Sequence, residues 1–202
     1  MNILHVDSSI TGDMSVTRQL SAQVVEALVK STPAARVVRR DVAAEPINHL
    51  GPDLLSVVKF QNRDGLTPYQ QKELALTDGL VEEFLAADVV VIGAPMYNFT
   101  VPTQLKAWFD RIAQAGKTFK YTENGPVGLA GAKRVILASA RGGVYSTNPA
   151  MAGLDFQESY VKAIMGFMGI TDVTVVRAEG VSMGPAVRDA AVAAAAQEIA
   201  KL

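Results

Sequence analysis

The 202-residue sequence contains no cysteine. This absence excludes disulfides, thiolate catalysis, iron–sulfur ligation and CxxC redox chemistry together. If the protein transfers electrons, it must therefore use an organic cofactor. The chain also lacks an excess of charge of either sign, because 19 basic and 20 acidic residues leave a net charge of −1. We therefore expect no general attraction to nucleic acid or to an anionic membrane.

Long apolar runs are also absent. The longest, around residues 89–96 and 190–196, are far shorter than a membrane span, and the N-terminus is too short and wrongly flanked for a signal peptide. Hydrophobic residues make up 49% and charged residues 19%, so the chain is too apolar to be disordered and long enough for one core. We expect a single cytoplasmic domain over residues 1–202.

Short β-branched runs alternate with longer helical patterns, which is typical of βαβ units and a parallel sheet. The run at 89–94 is apolar on both faces and predicts a central strand, whereas Val37 and Val38, flanked by arginines, predict an edge. We predict a doubly wound α/β domain with helices on both faces of a five-stranded parallel sheet in the order 2-1-3-4-5. The predicted strands are 3–6, 36–40, 89–94, 135–138 and 173–177, and the predicted helices are 17–30, 68–86, 102–114, 156–168 and 185–201.

Within these elements we expect His5 to be a packed strand residue, and Met165 and Met168 to lie in the core. Trp108 and Phe109 are consecutive in a predicted helix and point in different directions, so we expect at least one of them to be exposed or at an interface. The segment 41–67 has little periodicity, and such a long irregular connection is more often functional than accidental.

In an open parallel sheet the ligand lies beyond the carboxyl ends of the strands, where the strand order reverses. The loops that follow strands 1, 3 and 4 are residues 7–17, 95–100 and 139–145. The first is rich in hydroxyls and leads into a helix, whose free amides and dipole can hold a phosphate. Capping of that helix by Ser15 or Thr17 is the alternative. The chain has neither GxxxxGK nor GxGxxG in this loop, which excludes a P-loop and disfavours a Rossmann site.

The second loop places Met96, Tyr97, Asn98 and Phe99 directly after the central strand. Exposed aromatics there suit a flat apolar ligand, with core packing of Tyr97 and Phe99 as the alternative. The third contains Gly142 and Gly143, which allow backbone to approach a ligand; a plain glycine turn is the alternative. Three such loops at one switch point favour a binding site.

These residues resemble the FMN-dependent NADH-azoreductases, also described as NADH:quinone oxidoreductases of the flavodoxin-like superfamily. The resemblance covers essentially the whole chain, and the matching segments are 94–99, 103–106, 109–110, 115–116, 118–119, 121–126, 141–143, 169–172 and 178–180. It implies FMN contacts to the phosphate from Ser9, Ser15, Val16 and Thr17. It implies contacts to the isoalloxazine ring from Met96, Tyr97, Asn98 and Phe99 and from Ala140, Arg141, Gly142 and Gly143.

Two positions depart from the family pattern. Thr17 replaces a common serine and keeps the hydroxyl, whereas Ala140 replaces a serine and loses one. We expect affinity, rather than the mode of binding, to be affected.

The resemblance implies that the flavin carries the chemistry, without a catalytic side chain or a metal. Turnover would be ping-pong: NADH or NADPH binds over the flavin first, and a quinone or azo compound then binds at the same position. The amides of Gly142 and Gly143 would stabilise negative charge on the reduced ring. It also implies a homodimer with the site at the interface, walled by segment 41–67 and Tyr121. The alternative is a flavodoxin-type electron carrier, disfavoured because such carriers are strongly acidic. A receiver-type signalling domain is rejected because Pro95 and Met96 follow strand 3 in place of an aspartate.

Overall fold

A computed structural model of the protein describes residues 1–60 and 63–202, and its centre is a five-stranded parallel sheet. The strands are β1 (Asn2–Asp7), β2 (Arg36–Asp41), β3 (Val89–Pro95), β6 (Arg134–Arg141) and β7 (Asp172–Glu179). They run in the order β2-β1-β3-β6-β7, and every neighbouring pair is parallel. Counted among the sheet strands alone, this is the predicted order 2-1-3-4-5.

The five predicted helices are confirmed, with ends that differ by at most two residues. Local sequence explains where they begin: Ser15 caps the first through its side chain, and Thr67 and Gln70 form a capping box at the start of the third. Two short helices, Pro52–Val58 and Pro149–Ala152, were not predicted. The helices are α1 (Val16–Ser31), α2 (Pro52–Val58), α3 (Pro68–Ala86), α4 (Thr103–Ile112), α5 (Pro149–Ala152), α6 (Phe156–Phe167) and α7 (Pro185–Ile199).

Alternate strand residues pack into two separate hydrophobic clusters, because successive side chains of a strand point to opposite faces. Leu4, Val90 and Leu137 belong to a cluster with residues of α3, α4 and α6. Ile3 and Val91 belong to the other cluster, with residues of α1 and α7. The central strand β3 is consequently buried along its whole length, whereas the edge strand β2 exposes side chains as predicted.

The prediction that Trp108 or Phe109 would be exposed or at an interface is wrong, because both side chains are fully buried. Helix α4 packs between α3 and α6 as well as on the sheet, so two of its faces are covered. Trp108 meets Phe84 edge-on at a centroid distance of 5.9 Å, and Phe109 meets Tyr160 at 5.6 Å. The predictions for His5, Met165 and Met168 are confirmed by their burial.

An antiparallel hairpin, β4 (Phe119–Thr122) and β5 (Gly125–Gly128), lies between α4 and β6 in the chain and was not predicted. It is fixed by a close backbone contact, since a Cβ atom at Gly128 would lie only 2.1 Å from the amide nitrogen of Gly169. Only glycine fits such an approach. Tyr121 on this hairpin is largely exposed.

Segment 41–67 is less irregular than expected, since it contains α2, although residues 61 and 62 lie outside the described part. Buried polar groups fasten it to the domain. Arg111 donates to the carbonyl of Asn48 at 2.9 Å and to the Glu73 carboxylate, which also accepts from the Asn48 amide at 2.7 Å. Within the described ranges, no helix combines the length and apolarity needed to cross a bilayer.

Candidate functional site

An open cavity of about 280 Å³ lies at the carboxyl edge of the sheet. Three of the loops that contribute to it follow β1, β3 and β6, which confirms that the predicted loops meet. Ser9, Ser15, Val16 and Thr17 line it from the first loop and the start of α1. Met96 of the second loop and Gly142 of the third line it, together with Pro95 and Ala140 at the ends of β3 and β6. The other predicted contacts do not line the cavity: Tyr97, Asn98, Phe99, Arg141 and Gly143.

The start of α1 offers unused hydrogen-bond donors to the cavity. The amides of Val16 and Thr17 donate to no residue that the structure describes. Nearby hydroxyls form hydrogen bonds with one another, Ser15 with Thr17 at 3.1 Å and Ser9 with Thr11 at 3.0 Å. Ser15 also caps the helix by accepting from the Arg18 amide at 3.2 Å. Capping by Ser15 is therefore confirmed, and it leaves the rest of the helix terminus open to an anion.

The loop after β1 is held in place by an ion pair. The Arg18 guanidinium donates to the Ser9 carbonyl at 2.8 and 3.2 Å and forms a bidentate pair with Asp41. The same guanidinium lowers the pKa of the Asp41 carboxyl. Because its charge is satisfied by Asp41, Arg18 acts on the cavity only by fixing the backbone of Ser9.

The second loop makes a two-residue turn between Tyr97 and Thr100, whose backbones bond to each other in both directions. Asn98 and Phe99 at its centre have φ angles of 48° and 71°. Asparagine tolerates this region, but phenylalanine does not, and such backbone strain concentrates at binding sites. Phe99 is 43% exposed, so core packing is wrong for this residue. The Tyr97 hydroxyl lies 3.2 Å from Ser9 Oγ and accepts from the Ile10 amide at 3.3 Å, which joins the two loops.

The third loop begins later than predicted, because residues 139–141 continue strand β6. Gly142 and Gly143 follow the strand, and neither amide donates a hydrogen bond within residues 1–60 and 63–202. A Cβ atom at Gly142 would lie 3.0 Å from Ser182 Oγ. Gly142 therefore sits at a crowded point where a side chain would displace its neighbour.

The Arg141 side chain points away from this cavity and into a buried cluster of carboxylates. Its guanidinium pairs with Glu158 at 2.7 Å, Asp155 at 2.9 Å and Glu179 at 3.1 Å. Burial favours the neutral form of Glu158, but the charges of Arg177 and Arg141 outweigh it and lower the pKa of this carboxyl. Any contact of Arg141 with a ligand in the cavity must come from its backbone.

The carboxylate of Glu179 accepts the amides of Tyr145 and Ser146 at 3.0 Å each. The buried cluster therefore also fixes the end of the loop that carries Gly142 and Gly143.

A second buried charge network lies beneath the first loop. Burial alone would raise the pKa of the Asp7 carboxyl, but the hydrogen bonds and charges of His5, Arg39 and Ser21 outweigh it and lower the pKa to about 2. The resulting stabilisation of about 2 kcal/mol is fully present above the unfolded pKa near 4 and is lost as the pH falls from 4 towards 2.

This stabilisation predicts a pH-dependent difference between the protein and an Asp7→Asn variant. The protein should exceed the variant in unfolding free energy by about 2 kcal/mol at pH 6, and the difference should shrink towards zero near pH 2. Urea unfolding across this range measures it, with Asp172→Asn as an exposed control. A difference that is constant with pH would contradict the assignment.

Sequence reasoning missed the loop after β7, which contributes Val181 and Ser182 to the cavity, and Arg188 at the start of α7. The rule that ligands bind at the carboxyl edge also covers the fifth strand, so this loop could have been included. Arg188 offered no such signal, because it reaches the Met14 carbonyl across 174 positions of the sequence.

The order of the parallel strands and the cavity at their carboxyl edge define a flavodoxin-like protein. A family model described as a flavodoxin-like fold matches residues 1–202. The chain is 66% identical over 199 residues to an FMN-dependent NADH:quinone oxidoreductase of Azospirillum brasilense, covering 98% of this chain and 96% of the relative. It is 56% identical to a protein of the same name from Acidovorax ebreus, covering 98% and 92%.

Solved structures agree with these relatives. An azoreductase from Bacillus anthracis str. Sterne superposes with a TM-score of 0.89 at 35% identity, covering 100% of this chain and 97% of that one. An FMN-dependent NADH-azoreductase from Bacillus anthracis str. Ames Ancestor, solved in complex with FMN, also gives 0.89 at 26% identity, with the same coverage. The chain belongs to the family of FMN-dependent NADH:quinone oxidoreductases.

Proposed function

We propose that the protein binds FMN in this cavity and reduces quinones and azo compounds with electrons from NADH. The observation that carries the proposal is that one cavity offers different binding groups at its two ends. Free amides of Val16 and Thr17, beside the Ser15 and Thr17 hydroxyls, suit a phosphate at one end. The free Gly142 amide and Met96 line the other end, next to the strained turn at Asn98 and Phe99, and suit a flat, electron-accepting ring. The relatives named for FMN, NADH and quinone favour the same chemistry.

The proposed roles follow from the position of each group. Ser9, Ser15, Val16 and Thr17 hold the phosphate through hydroxyls and amides. Met96, Tyr97, Asn98 and Phe99 cover the ring, and Ala140, Arg141, Gly142 and Gly143 approach it with their backbone. The chemistry that bound FMN supplies is the acceptance of two electrons from NADH and their transfer to the acceptor.

The amides of Gly142 and Gly143 stabilise negative charge that develops on the bound ring, in the manner of an oxyanion hole. NADH, or NADPH in its place, and the acceptor use one exposed face in turn, which gives ping-pong turnover. No side chain need act as a nucleophile in this scheme, and water can supply the proton that reduction of a quinone by NADH consumes.

The same proposal includes a single doubly wound domain over residues 1–202 and a homodimer with the cavity near the subunit interface. Exposed apolar side chains support the second part: Phe60 and Tyr121 are 75% and 73% exposed and belong to segment 41–67 and to the hairpin. We propose a cytoplasmic location, because the reduced nicotinamide donor is available there.

The test is the visible spectrum of the purified or FMN-reconstituted protein. We expect a yellow protein whose extracted cofactor is FMN, which bleaches with NADH in the absence of oxygen and regains its colour with a quinone. Steady-state rates over a grid of NADH and quinone concentrations should give parallel double-reciprocal lines. Bleaching by dithionite but by neither NADH nor NADPH would favour the electron carrier, and recovery of FAD would exclude the proposed cofactor.

A further inference from the structure

Among the described residues that line the cavity, only Arg188 carries a formal charge. It is the fourth residue of α7, and its guanidinium donates to the carbonyl of Met14 at 3.3 Å. Met14 directly precedes Ser15, the N-cap of α1. The fold therefore places a positive charge beside the amides and hydroxyls at the start of α1.

The electrostatic setting of Arg188 is unfavourable without an anion. The N-terminal end of a helix is the positive end of its dipole, so a cation there is repelled and an anion is stabilised. Arg188 lies near the beginnings of both α1 and α7. No carboxylate of the described ranges lies within ion-pair distance of it, whereas Arg18 and Arg39 pair with Asp7 and Asp41.

We propose that Arg188 binds the phosphate of the cofactor and is the cation that balances its charge. The inference rests on the proposed function, because it requires FMN in this cavity. An FMN phosphate carries close to two negative charges at neutral pH. The helix terminus supplies about half a positive charge, so a full guanidinium charge accounts for most of the remainder. One anion then satisfies the guanidinium, the free amides and the hydroxyls together.

The proposal makes a specific statement about ligand preference. Riboflavin has the same ring and ribityl chain as FMN but lacks the phosphate. Arg188 should therefore contribute to the affinity for FMN and contribute nothing to the affinity for riboflavin. Because a charged contact is involved, the preference for FMN should also weaken as salt concentration rises.

The experiment is a titration of flavin-free protein with FMN and with riboflavin, followed by flavin fluorescence at low and high salt. The variants are Arg188→Gln, which keeps a donor for the Met14 carbonyl but loses the charge, and Arg188→Lys, which keeps the charge. Arg63→Gln is the matched control, since Arg63 pairs with Asp78 away from the cavity and gives the same change in net charge.

We expect Arg188→Gln to weaken FMN binding by about 10-fold to 100-fold, as for one charge-assisted hydrogen bond. Riboflavin binding should change less than twofold, Arg188→Lys should be intermediate, and Arg63→Gln should match the parent protein. Equal loss for both flavins would assign Arg188 a purely structural role and overturn the inference, as would unchanged FMN binding. Failure of the parent protein to bind either flavin would refute the proposed function itself.

Discussion

Replacing Arg141 by methionine is expected to lower the free energy of unfolding by about 3–5 kcal/mol. The guanidinium is fully buried and lies within 3.1 Å of three carboxylates, Glu158, Asp155 and Glu179. Methionine fills a similar volume but removes the charge, so Asp155 and Glu179 lose their ion-pair partner and Glu158 keeps only Arg177. Removing one member of a buried ionic cluster costs far more than the cluster itself contributes, because the remaining charges lose their partner.

Chemical denaturation of the flavin-free protein measures this effect without interference from ligand binding. Arg63→Met is the matched control, because Arg63 is half exposed and its pair with Asp78 should contribute less than about 1 kcal/mol. If Arg141→Met fails to fold, Glu179→Gln tests the same cluster with a smaller loss. A change below 1 kcal/mol in both variants would show that the cluster does not stabilise the fold.

Replacing Gly142 by valine is expected to slow reduction of the protein by NADH by about 100-fold, the usual cost of losing one donor to a developing negative charge. A Cβ atom here would lie 3.0 Å from Ser182 Oγ, and the larger side chain must push the loop away from that neighbour. The residues proposed to bind the phosphate lie on another loop, so the affinity for FMN should fall much less than the rate of reduction by NADH.

Stopped-flow reduction and FMN titration of the same variant separate the two quantities. Gly143→Ala is the matched control, because its new Cβ atom would make only an ordinary 3.5 Å contact with Tyr145. Ser182→Ala, combined with Gly142→Val, removes the closest atom and should restore part of the rate. If the rate and the affinity fall in equal proportion, the Gly142 amide binds the ring without favouring its reduced form.

Hydrophobic periodicity is sufficient to predict the central sheet, since β3 is apolar on both faces and β2 is flanked by arginines. It cannot predict the hairpin β4–β5, because these four-residue strands have little alternation. Their position depends on the contact between Gly128 and Gly169, which are far apart in the sequence. The expectation that Trp108 or Phe109 is exposed or at an interface is wrong because helical periodicity assumes a single buried face. Helix α4 buries more than one face.

The site, like the fold, has a part that the sequence predicts and a part that it does not. The carboxyl-edge rule predicts which loops meet, because it depends only on strand order. It does not predict side-chain direction, and Arg141 next to a glycine pair resembles a ligand contact until its carboxylate partners are known. Whether the named residues contact FMN stays a prediction that the binding experiments address.

The hydrogen bonds of the Tyr97 hydroxyl connect Ser9 and Ile10 on one loop with the strained turn on another. The two ends of the cavity are therefore not independent. A ligand fragment that moves either loop alters the free energy of binding at the other, and thermodynamic reciprocity requires the same coupling factor in both directions. An anion that moves the first loop when it binds at the start of α1 would thus change the affinity of the aromatic turn for a ring, even when no covalent chain joins the two fragments.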